Sequence, residues 1–103
     1  MVPTLIQEAS GVQNITIGAS SHASTALLGG EGFNTVTYRL SATSNCWYHI
    51  DTTAVAATTS NSSYLALGII EYIRVRAGYF LTVIQDSASG TLNIMPMREV
   101  STP

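Results

Sequence analysis

Four side chains could do chemistry near one another: Cys46, His49 and Asp51 in the run CWYHID, and His22 upstream. His49 and Asp51 lie two residues apart, so on a strand both point the same way. That spacing suits a base with its orienting carboxylate, or two ligands of a metal ion. A third ligand would have to come from His22 or a distant carboxylate. Cys46 and His49 are oddly spaced, which sends thiol and imidazole to opposite faces of one strand and prevents direct contact within it. No serine sits in a G-x-S-x-G context, and there is no phosphate loop, paired-carboxylate motif or cofactor fingerprint. The residues therefore predict a polar His49–Asp51 pair facing solvent or a neighbouring subunit. Cys46 is expected to be a small buried apolar residue. No catalytic residue, metal or cofactor is expected, and the chain is not expected to be an enzyme.

The elements that hold these residues read as strands. In TVTYRLSA, residues 35–42, Val36, Tyr38, Leu40 and Ala42 share one face while Thr37, Arg39 and Ser41 share the other. After Thr43, Ser44 and Asn45, CWYHI places Cys46, Tyr48 and Ile50 opposite Trp47 and His49, and the two runs are expected to pair as a hairpin. Residues 51–62 are small and polar, a loop with at most a short strand near Val55. SYLAL, IIEYIRV, FLTVIQ and TLNIM follow as strands. Gly78 is expected at positive φ in the turn RAGY, and Gly90 in a left-handed position closing DSASG, so that residues 69–97 form an antiparallel meander. Pro96 suits a strand edge or end. LIQEA and VQNITIG are weaker strand candidates, and SSHASTALLG has room for one helical turn.

Seven or eight short strands without a convincing helix predict an all-β single domain over residues 1–103. The expected form is an antiparallel β-sandwich, jelly-roll-like or a small barrel as the alternative, with short arms at 1–10 and 98–103. The expected core is Ile15, Ile17, Val36, Tyr38, Leu40, Tyr48, Ile50, Leu65, Ile73, Val75, Leu81, Val83, Leu92 and Ile94.

Charged residues make up 10% of the 103, against about 25% in an average soluble domain. Mean hydropathy is +0.26. Such an exterior predicts that much of the surface faces other protein. Four arginines, no lysine and a net charge of −2 argue against nucleic-acid binding. No run is long enough to span a bilayer as a helix, and the N-terminus lacks the pattern of a secretory signal, so synthesis in a cytoplasm is expected. A single cysteine agrees with a reducing site. Trp47 faces away from Cys46 and Tyr48, either as an interface anchor or half-covered by the N-terminal segment. Ile70, Tyr72 and Arg74, with Phe80, Thr82 and Ile84 on the next strand, form a second face too apolar for water. Met95, Met97 and Arg98 are expected to extend such contacts at the C-terminal end.

Residues 33–97 resemble a group of small tailed-phage proteins. The likeness runs through TVTYRLSATSNCWYHI and the Ser/Thr loop to SSYLALGIIEYIRVRAGYFLTVIQDSASGTLNIMPM. EYIRVRAG followed by VIQDSASGTLNI is its most specific part; Ala77 and Leu67 stand where those proteins carry prolines. The resemblance implies a non-enzymatic virion protein, most simply a capsid decoration or cement protein on the capsid exterior. Its expected partners are itself, with a trimer favoured, and the major capsid protein. The alternatives are a head-to-tail joint, a fibre base, or a small carbohydrate-binding module using Trp47 and loop 51–62.

Overall fold

The computed structural model describes the backbone of residues 2–7, 11–25, 27, 35–76 and 78–102, and the side chains of 11–25, 27, 36–76 and 78–97. Among these, nine strands and no helix form two antiparallel sheets: β1 (Val2–Gln7), β2 (Gln13–Ile17), β3 (His22–Ala23), β4 (Thr35–Ala42), β5 (Cys46–Asp51), β6 (Ser63–Leu65), β7 (Glu71–Arg76), β8 (Phe80–Gln85) and β9 (Gly90–Thr102). One sheet has the order β1-β9-β4-β7, with β2 also on β9; the other runs β3-β8-β5-β6.

Alternation decides which face each strand buries. Along β4, Tyr38, Leu40 and Ala42 are buried and the residues between them are not; along β5, Cys46 and Tyr48 are buried while Trp47 is half-exposed. Ile15 and Ile17, Leu81 and Val83, and Leu92 and Ile94 complete the two inner faces, and Val36, Ile50, Ile73 and Val75 pack against them. Every residue of the expected core lies in or against this cluster. Leu27, Ala57 and Met97 are buried as well. Leu27 is held by the β7–β8 turn, where Gly78 (φ 89°) donates to the Leu27 carbonyl at 2.8 Å and the Leu27 N–H reaches Tyr79.

The pairings correct the expected connectivity. β4 pairs with β7 and β9, and β5 pairs with β6 and β8, so residues 43–45 carry the chain from one sheet to the other rather than closing a hairpin. Likewise β7, β8 and β9 alternate between sheets, so no meander forms over 69–97. The four nested pairs β2·β9, β3·β8, β4·β7 and β5·β6 are the double Greek key of a jelly roll. Residues 52–62 contain no strand, and β3 lies where one helical turn was expected. Leu28 and Gly29 of that stretch lie outside the described residues.

Gly90 is not left-handed. It is required for close approach: a Cβ there would lie 2.5 Å from Ser44 Oγ and 2.6 Å from Thr43 Oγ1. The segments expected as arms form one ladder, from Val2 opposite Thr102 to Gln7 opposite Met97. β2 takes up the same edge of β9 at Ile94, so Met95 and Pro96 fall in a gap on that edge; Pro96 lies inside β9 opposite Tyr38 of β4, not at the strand edge or end expected, and its missing N–H costs the β1 and β2 ladders no donor. At ~3.3 Å per residue the thirteen residues of β9 span ~43 Å and account for the 46 Å long axis.

Candidate interaction surface

His49 and Asp51 do share a side, the outer face of the four-stranded sheet, where their side chains meet at 3.3 Å. The other ring nitrogen of His49 lies 2.9 Å from the Asn61 carbonyl, and Asp51 accepts the Thr52 N–H at 2.7 Å. That backbone bond, then the one from His49, holds the Asp51 carboxyl below its ordinary value. The same loop is fastened elsewhere: Thr82 Oγ1 donates to Val55 at 2.6 Å, and the Ala57 N–H donates to Ser21 at 2.9 Å. Thr82 and Ala57 are buried in consequence. The pair is thus a clip binding loop 52–62 to the sheet, with both imidazole nitrogens engaged inside the chain.

His22 is exposed on β3, and no group of three or more His, Cys, Asp or Glu is placed to hold a metal ion among the described residues. Cys46 sits in the core on the other face from His49, and burial pushes its thiol up to about 11. Tyr48 joins the sheets by donating its hydroxyl to the Glu71 carboxylate. Burial first, and then this carboxylate, raise its phenol.

Trp47 is half-buried, but not under the N-terminal segment, because β1 and β2 belong to the other sheet. Its ring meets Tyr64 edge-on at 5.0 Å, and Nε1–H donates to Asp86 at 3.2 Å. The expected second face is divided. Phe80, Thr82 and Ile84 alternate outward on the four-stranded sheet, with Ile84 opposite Trp47, whereas Tyr72 and Arg74 lie outward on the five-stranded one. Met95 is half-buried and Met97 is buried, so the expected surface role of Met97 is corrected to packing within the chain. The Arg98 side chain lies outside the described residues.

A concentrated apolar surface stands at the β6–β7 corner. Leu67 is 59% exposed, Ile69 55%, Ile70 52% and Tyr72 53%. The sequence reading missed Leu67 and Ile69; the signal was there in LGII, because a turn at residues 67–68 between two short strands cannot direct four consecutive neighbours into one core. Asn45 fixes this corner, accepting the Leu67 N–H at 2.9 Å on its side chain and the Asp86 N–H at 3.1 Å on its carbonyl. The links β4–β5, β6–β7 and β8–β9 therefore meet at one end of the sandwich.

Beside the corner, Arg39, Arg74 and Arg76 lie on the outward parity of the five-stranded sheet, with Arg39 opposite Tyr72 and Met95. Asp51 and Asp86 lie on the side of the other sheet. The Arg39 Nε is enclosed and makes no hydrogen bond. No protein-family model, curated protein or solved structure matches this chain.

Proposed function

We propose that this chain is a non-enzymatic structural protein of a tailed-phage particle. In this reading it is a decoration or cement protein, made in the host cytoplasm and mounted on the capsid exterior across contacts between major capsid subunits. The observation that carries the reading is the exposed corner of Leu67, Ile69, Ile70 and Tyr72 on a chain with only 10% charged residues. Each such side chain is worth about 1.5–3 kcal/mol when fully buried. Four together supply several kcal/mol toward the cost of association. Repetition over a shell multiplies a modest contact into a stable coat. The jelly roll suits the role, being an architecture of viral capsid and lectin domains, although a fold alone assigns no function. The reading also rests on the resemblance of residues 33–97 to small tailed-phage proteins.

The experiment adds purified chain to phage heads that lack it and sediments the mixture. Wild-type protein is expected to travel with the heads, and the Leu67→Ser/Ile70→Ser variant to stay in the supernatant while keeping its strand circular dichroism. Equal sedimentation of both would remove the corner from the account. A second reading, a carbohydrate-binding host-attachment module, is favoured by Trp47 and Tyr64 meeting beside Asp86 on the outer face. Glycan-array binding by a monomer, lost in Tyr64→Ala, is the result that would select it.

A further inference from the structure

The four lateral edges of the sandwich are unequal. β3 has two residues and β6 three, too short to template another strand, and the edge opposite β7 is divided between β1, six residues with Pro3 near its start, and β2, five residues, with an interruption between them. β7 has six residues, no proline, and pairs on one side only among the described residues. Among the described residues it is the one six-residue edge strand without a proline, and it runs straight out of the apolar corner.

We infer that β7 pairs with β7 of a second copy of this chain, antiparallel across a twofold axis through Ile73. This rests on the reading of a shell protein that associates with itself, as expected from the sequence, and deepens it with a twofold contact in place of the favoured trimer. A twofold axis perpendicular to the sheet preserves its faces, so residues opposite one another must have the same parity, and the axis falls on one of the four inner positions 72–75. Centring on Arg74 sets two guanidinium groups directly opposite each other, which is unfavourable. Centring on Tyr72 or on Val75 leaves half of the strand without a partner. Centring on Ile73 pairs Ile73 with itself, Tyr72 with Arg74 and Ile70 with Arg76, so each arginine lies against an aromatic or apolar side chain. Glu71 falls opposite Val75 on the inner side and keeps its bond from Tyr48. Leu67 and Ile69 then flank the second copy's turn at Gly78. A strand edge accepts one partner, so the contact closes as a dimer, and a threefold ring would need a different face.

The test is light scattering with sedimentation equilibrium on the full chain. Wild type is expected to dimerise. Tyr72→Lys, which opposes a lysine to Arg74 twice across the axis, is expected to raise the dissociation constant about tenfold to thirtyfold. Adding Arg74→Glu is expected to restore the dimer. Independently, Ile73→Cys should oxidise to a covalent dimer, and Arg74→Cys should not, because residue 73 alone meets itself. A monomeric wild type, a dimer indifferent to Tyr72→Lys, or equal cross-linking at 73 and 74 overturns the inference. A monomer that still coats phage heads defeats this contact and leaves the functional reading standing. A β7-paired dimer that never joins a particle does the reverse.

Discussion

Replacing Gly90 by alanine separates two explanations of that glycine by the sign of the result. Where φ and ψ suit any residue and space is free, Gly→Ala stabilises by about 0.4–1 kcal/mol through the unfolded chain. Gly90 has no positive φ, but its added methyl would stand 2.5 Å from Ser44 Oγ, 2.6 Å from Thr43 Oγ1 and 3.1 Å from Ser44 Cβ. Thr43 cannot move freely, since its Oγ1 accepts the Thr91 N–H at 2.8 Å and its own N–H donates to Thr91 at 3.0 Å. Ser44 is buried, with its hydroxyl unpartnered. Overpacking of this kind costs about 1–3 kcal/mol, and a strained or lost hydrogen bond adds about 1 kcal/mol. A net loss of about 2 kcal/mol is expected, a fall in Tm of about 8–16 °C for a domain of this size. Urea unfolding followed by circular dichroism measures it. Ser44→Gly in the Gly90→Ala background removes two of the three contacts and should recover about half of the loss. Unchanged or increased stability of Gly90→Ala would refute the close approach of the β4–β5 link to β9.

Tyr48→Phe should cost about 1–2 kcal/mol in the same urea assay, because it leaves the partly buried Glu71 carboxylate without the donor that ties the two sheets; no change would mean that the bond is not made in solution. Cys46, with its thiol raised to about 11 and fully enclosed, should resist a disulfide reagent at pH 8 and react at once in denaturant; rapid labelling of the native protein would contradict that placement. The lowered Asp51 carboxyl contributes stability that is present above the ordinary value of 3.8 and is lost as pH falls through the lower folded value. Asp51→Asn should therefore differ from wild type at pH 7 and converge with it progressively below 3.8, as read by thermal melts across pH; a constant difference would remove the clip. Trp47→Ala should keep the strand signal and weaken assembly, whereas loss of the fold would make the Tyr64 and Asp86 contacts structural.

Strand placement was legible because one buried face imposes a period of two: Tyr38, Leu40 and Ala42, then Cys46 and Tyr48, wrote the core into the sequence. Which strands pair was not legible. Thr43–Asn45, the turn at Gly78 and DSASG mark reversals, and a reversal inside one sheet uses the same turn residues as a corner between two sheets. The difference lies in contacts remote in sequence, such as Asn45 with Leu67 and Asp86, or Gly90 with Ser44. The His49–Asp51 pair was foreseen from its spacing, but its third contact, Asn61, depends on a loop returning over the sheet. The apolar corner was half seen: Ile70 and Tyr72 were expected at a surface, while Leu67 and Ile69 were hidden by the assumption that an apolar run is a strand.

Copy-counted mass spectrometry of intact, purified phage particles tests the central claim most directly. The account predicts this chain in hundreds of copies per particle, in fixed ratio to the major capsid protein. A dozen or fewer would move it to a joint or fibre, and its absence from the particle would contradict the account.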